Sequence, residues 1–165
     1  MIQFRSSEWE GMDDLSEELI EELRPRAEQL VMQGALLLET RVKETLSGGR
    51  SGRVYRVPGT SAATYVASAP GEAPAVLRGN LRNSVGHTRP RWEGDAVSSE
   101  VGPGLGKPPK GGPDPGTSYA RRMEWGGDHV DKRSGAIIRI LPRPYMRPAA
   151  ERATPEIHAL FEAGI

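Results

Sequence analysis

Apolar residues recur at three- or four-residue steps at Leu15, Leu19, Leu23, Ala27, Leu30, Val31, Leu38 and Val42. That period is the stripe of an amphipathic helix, predicted to run from a cap at Asp13 or Asp14 to about Leu46. Glu17 and Glu18 then lie near the positive end of its dipole, and Gly48-Gly49 ends it. Pro25 falls inside and removes an amide donor, so it is expected to kink or split the helix. The triplet Leu36, Leu37, Leu38 makes the second half apolar around more of its circumference, as packing on a sheet and on a neighbour requires.

Beyond the glycines the pattern changes. Val54–Val57 and Thr64–Val66 flank Pro58-Gly59 and read as a β-hairpin with a loop of several residues. Asn83–Arg89 and Ala96–Val101 are predicted strands, with a turn at Trp92–Asp95 between them. Ala136–Leu141, AIIRIL, is the most strand-like run and is expected to be a central strand, ended by Pro142 and Pro144. From Tyr145 a closing helix places Met146, Ala149, Ala150, Ala153, Ile157, Leu160 and Phe161 on one side. Pro148 fits its first turn, while Pro155 is expected to bend it or restart it after Thr154.

Two shorter stretches link these elements. Pro70-Gly71 and Pro74 leave Ala69–Pro74 little freedom beyond an extended, turn-rich elbow. The following LRGNLRNSV forms a short amphipathic turn, Leu77 and Leu81 on one face and Arg78 and Arg82 on the next. Tyr119–Trp125 is a second short helix, stopped by Gly126-Gly127. There Tyr119 and Met123 share a buried face with Trp125 nearby, and Glu124 is expected to pair with Arg121 or Arg122. The fold class is therefore α+β in one domain: a small, mainly antiparallel sheet covered by an N-terminal and a C-terminal helix.

Composition adds that the core is thin. In 165 residues there are 20 glycines, 14 prolines and 36% hydrophobic residues, so stability is expected to lean on neighbouring subunits. Cysteine is absent, which excludes disulfides, thiol nucleophiles and cysteine-ligated metals. No apolar run reaches membrane-spanning length and MIQFRSSEWEG lacks a secretory core, so a soluble protein made in the cytoplasm is expected, residues 1–12 being flexible. Gly102–Thr117, GPGLGKPPKGGPDPGT, cannot pack a core and is expected to be mobile alone and to order against a neighbouring subunit or ring.

Net charge is zero but unevenly spread. Asp13, Asp14, Glu17, Glu18, Glu21 and Glu22 crowd the first helix, while Arg41, Lys43, Arg50, Arg53, Arg56, Arg78, Arg82, Arg89 and Arg91 fill the middle. An acidic end and a basic middle can meet head-to-tail between identical subunits.

Candidate chemistry is sparse. Ser47–Arg53 has no preceding strand and no Lys-Ser/Thr ending, and Lys107 is followed by Pro108, so neither glycine-rich stretch is a phosphate cradle. His87, His129 and His158 are scattered, and Asp128-His129-x-Asp131 reads as turn residues before metal ligands. Glu124 has no second carboxylate at credible spacing, and no G-x-S-x-G elbow occurs. No catalytic, cofactor or metal site is expected, and the chain is not read as an enzyme.

Three motifs carry a resemblance: ASAPGEAPAVLRGNLRNSV, then YARRMEWGG, then PRPYMRPAAERATPEI. In this order they resemble the tail-completion and head–tail joining (neck, tail-terminator-like) proteins of long-tailed bacteriophages, over roughly the whole chain after the first helix. The resemblance implies a structural virion protein, assembled in the host cytoplasm. It would form a ring, sixfold favoured, that terminates the tail tube or joins tail to head. Its partners would be copies of itself, the tail tube protein, the head-side connector or stopper, and DNA passing through the lumen. The hairpin, projecting from the sheet, and the long loop would reach the adjacent ring. Arg53, Arg56, Arg78, Arg82, Tyr119, Glu124, Trp125, Arg143, Tyr145 and Arg147 are the expected interface or core-defining residues. The alternative is a nucleic-acid-binding module using the basic hairpin and elbow, against which zero net charge and few aromatics weigh.

Overall fold

The computed structural model describes residues 13–57, 59–106, 117–131 and 133–164, without the side chains of 13–18, 117 and 118. The expected flexible N-terminus, Pro58 and residues 107–116 of the long loop lie outside the described residues. The chain is α+β: a long N-terminal helix, a C-terminal helix and small antiparallel ladders. None of its described helices is long and apolar enough to cross a membrane.

Helix α1, Asp13–Ser47, is one unbroken element of 35 residues, about 50 Å long. Pro25 neither splits nor ends it. The carbonyl that loses its partner belongs to exposed Glu21, where water satisfies it. Arg50 closes its C-terminus. Its Nη2 donates to the carbonyls of Thr45 (3.0 Å), Leu46 (2.9 Å) and Pro74 (3.0 Å), and Nη1 to those of Gly48 and Gly49. One guanidinium thus satisfies the orphan carbonyls of a helix end and pins the elbow to it. Glu72 supports the elbow from the other side, accepting from the amides of Ala69 (2.8 Å) and Ser51 (3.1 Å).

Strands β1 (Val54–Arg56) and β2 (Thr64–Val66) form the expected hairpin, rooted by Gly52 N–H on Ala67 O at 3.0 Å. The short helix α2 starts only at Asn80 and ends at Ser84. Leu81 is buried but Leu77 is exposed, so the expected shared face is not made. Strands β3 (Val85–His87), β4 (Arg91–Glu93), β5 (Ala96–Ser98) and β6 (Val101–Pro103) make one long bent hairpin, β3 pairing with β6 and β4 with β5. Thr88–Pro90 on one arm face only Ser99 and Glu100 on the other, a β-bulge closed by Thr88 N–H on Glu100 O at 2.9 Å. Trp92 and Glu93, expected in the turn, are in β4. Gly94 at φ 62° allows a tighter two-residue turn. Gly102 and Pro103, expected in the loop, belong to β6.

Helix α3 (Thr117–Trp125) precedes a hairpin of β7 (Gly127–Val130) and β8 (Ile137–Ile140), and α4 (Met146–Gly164) closes the chain. The expected central strand is not central. Among the described residues β8 pairs only with β7, and Ile137 is 71% exposed. Pro148 sits in the first turn of α4, and Pro155 leaves α4 continuous, on its exposed side.

α4 runs antiparallel along the second half of α1. Gly34 faces Ile157 and Phe161, and Arg41 donates to the Glu156 carboxylate from Nε at 2.9 Å and Nη2 at 2.7 Å. The bent hairpin lines another flank, with His87 bonded to Glu39 and Trp92 Nε1 donating to Glu28 at 2.6 Å. The core gathers where these meet: Val42, Leu46, Ala73, Leu81, Val85, Ala120, Tyr145 and Ala149. Three of these eight are alanines, so backbones approach closely and a few large side chains fill the space.

Glu39 also bonds Lys43. Burial works to raise its carboxyl, but hydrogen bonds and charges from Lys43 and His87 outweigh it and hold the group below the ordinary value of 4.5. A depressed folded value means stability that is present above the unfolded value and lost as pH falls through the folded one. Thermal melts of Glu39→Gln and the parent are expected to differ most near neutral pH and to draw together as the pH falls below the ordinary carboxyl value of 4.5. A gap that widens in acid would contradict this.

Candidate functional site

The sequence-predicted residues separate into three places. Arg53 and Arg56 are exposed at the β1–β2 hairpin, and Arg78 is exposed on the elbow; none has an ion-pair partner among the described residues. Arg82 is half-buried, and its Nη1 lies 3.4 Å from Ser47 Oγ at the end of α1. The other six, Tyr119, Glu124, Trp125, Arg143, Tyr145 and Arg147, come together where α3 meets the start of α4.

Glu124 organises that junction. It is buried, and its carboxylate accepts from three successive amides at the start of α4: Tyr145 (2.7 Å), Met146 (3.0 Å) and Arg147 (3.1 Å). The expected pair with Arg121 or Arg122 does not form; Arg122 Nη1 instead donates to His129 Nδ1 at 2.7 Å. A carboxylate at a helix N-terminus meets both the orphan amides and the positive end of the dipole. The motif PRPYMRP contains no Ser, Thr, Asp or Asn to cap its own helix. That local deficit was the readable sign of a capping group from elsewhere.

Tyr145 is 1% exposed and belongs to the core, not to an outer surface. Burial, then the charge of Glu124 and the neighbouring Tyr119, push its hydroxyl well above the usual tyrosine range. Tyr119 and Met123 pack on the core as expected, but Trp125 does not join them: it is 65% exposed, with the Arg147 guanidinium 5.2 Å above its ring. Arg143 donates its amide to Met123 O at 2.6 Å, and its Nε is buried with no partner among the described residues. An apolar groove opens beside the junction, walled by Leu38, Pro103, Trp125, Met146 and Ala150. Its carboxylate is fully engaged in capping, so the groove can hold an apolar side chain but presents no free acid or base.

No family model, curated protein or solved structure matches the chain.

Elsewhere the surface is unusual in what it leaves in water. On β7–β8 the cross-strand pair Val130 and Ile137 is exposed, as are Ile138 on the other face and Leu141 just past the strand. On β1–β2 the pair Val54 and Val66 is exposed, with Tyr55 on the other face near Tyr65. Toward the N-terminus of α1, Leu19, Ile20 and Leu23 are exposed, about two turns or more beyond Leu30, which meets Gly164 of α4. Asp131, one of the possible metal ligands, instead closes the β7–β8 turn by accepting from Ser134 Oγ at 2.5 Å and Arg133 N–H at 3.2 Å. Among the described residues no group of three His, Asp or Glu side chains is placed to hold a metal.

Proposed function

We propose that the protein is an architectural subunit of a phage neck, a ring that terminates the tail tube or joins the tail to the head. The observation that carries this is the set of apolar residues on three projecting elements: the end of α1, β1–β2 and β7–β8. A stable monomer of this size seldom leaves so many β-branched and leucine side chains in water, whereas a subunit with neighbours on several sides needs them. The motif order noted above supplies the identity of those neighbours: copies of itself, the tail tube protein and the head-side connector, with DNA crossing the lumen. The work is assembly and not catalysis, and its place is the virion neck.

Native mass and negative-stain images of the purified protein, alone and with tail tubes, test the reading. A discrete ring with a central hole, free or seated on tube ends, is expected. A monomer that leaves tube ends undecorated would overturn it. The nucleic-acid alternative is favoured by one feature, the exposed Arg53 and Arg56 beside exposed Tyr55 on the hairpin, without ion-pair partners among the described residues. Binding of duplex DNA that weakens steeply with salt, in the absence of rings, would put that reading first.

A further inference from the structure

We infer that copies of this chain join head-to-tail, the free end of α1 in one copy lying on the β1–β2 hairpin of the next. This deepens the ring reading and rests on it for closure, while the contact itself follows from three features of the subunit.

The first is apolar match. Leu19, Ile20 and Leu23 are neighbours on the helix, at i, i+1 and i+4, and all are exposed. Val54 and Val66 are directly opposite in the β1–β2 ladder, so they stand side by side on one face, and both are exposed. A helix stripe laid on a small ribbon face buries both.

The second is charge. Residues 13–22 hold Asp13, Asp14, Glu17, Glu18, Glu21 and Glu22 and no cation. Residues 45–71 hold Arg50, Arg53 and Arg56 and no carboxylate. Arg50 is occupied by the carbonyls at the end of α1, which leaves Arg53 and Arg56 for a partner. Arg56 shares the face of Val54, since alternate strand residues point the same way. The β7–β8 ribbon, the other apolar candidate, sets Asp128 and Asp131 against Lys132, Arg133 and Arg139 and offers the acidic helix a smaller basic excess, with carboxylates of its own beside it.

The third is separation. The hairpin is rooted at Gly52, just past the C-terminus of α1, whereas Leu19 lies near its N-terminus. From Leu19 to Leu46 the helix advances about 40 Å, further than a hairpin of this size can reach. A copy's own hairpin therefore cannot cover its own patch, and two copies meeting through these unlike surfaces each keep one of the two for a further copy. Such a heterologous contact propagates until it closes.

The absence of native cysteine allows a direct test by disulfide trapping. Leu23→Cys and Val54→Cys are prepared separately, then mixed and mildly oxidised with tail tubes present. The mixed disulfide is expected to exceed either homodimer. In parallel, sedimentation should show Arg56→Glu weakening self-association by about tenfold and Glu22→Arg recovering much of it. Homodimers of Leu23→Cys forming as readily as the mixed species would overturn the inference in favour of helix pairing with helix. Rings without the mixed disulfide would overturn the contact and leave the neck reading standing. Neither rings nor disulfide would remove both.

Discussion

Glu124→Ala is expected to destabilise the protein by about 2–3 kcal/mol, because it strands the buried amide of Tyr145 and takes the acceptor from two part-buried amides beside it. The Glu124 oxygens hold the amides of Tyr145, Met146 and Arg147, and the side chain is 6% exposed, so water cannot fully replace it. The loss also removes a negative charge from the start of a 19-residue helix. Because α4 packs along α1 and brings Tyr145 and Ala149 into the core, loosening its first turn should loosen the core with it. Glu124→Gln keeps the shape and one acceptor but loses the charge, so it should fall between the parent and the alanine variant. Urea unfolding followed by circular dichroism reads both. A loss under about 1 kcal/mol for alanine would mean that the cap is dispensable.

The second large effect comes from adding a single methyl group. Gly86→Ala should cost about 2–3 kcal/mol, while Gly102→Ala, its partner across the same ladder, should be close to neutral. At Gly86 an added Cβ would stand 2.5 Å from Gly106 N and Leu105 C and 2.6 Å from Leu105 O, all of them backbone atoms. They are held there because Ser84 O accepts from both Gly104 N–H and Gly106 N–H at 2.8 Å. The turn cannot yield without breaking those bonds beside fully buried Val85. At Gly102 nothing lies within 4 Å of the added carbon and φ is not positive, so alanine only narrows the unfolded ensemble. Equal costs at the two positions, read from unfolding midpoints, would refute the close backbone approach.

What was legible in the sequence was mostly what depends on local chemistry. The end of α1 at Gly48-Gly49, the β1–β2 hairpin and the stop of α3 at Gly126 follow from glycine and proline, whose own backbone preferences end a helix or turn the chain. Neither proline splits its helix, for a common reason: a lost helical hydrogen bond matters less where the residue bearing its carbonyl is exposed, as Glu21 and Glu151 are. AIIRIL was recognisable as a strand, but its hydrophobicity could not say whether the covering partner was this chain or another. The α3–α4 junction was named almost residue by residue, yet its logic was not visible. A carboxylate that caps a helix beginning 22 residues later makes a contact set by the fold, which no spacing rule contains. Arg50 and Arg56 looked alike as basic residues of one stretch; only the fold shows that Arg50 is consumed in closing a helix.

The continuity of α1 through Pro25 has a geometric consequence. Each residue of an α-helix turns the chain by about 100°, so the direction in which Leu19 and Leu23 face is fixed relative to the body by residue count alone. A single residue inserted after Arg24 would swing that patch by about a quarter turn, whereas seven would return it nearly to phase about 10 Å further out. The outer turns of α1 thus act as a screw thread, in which sequence length sets both the reach and the angle of whatever the patch engages.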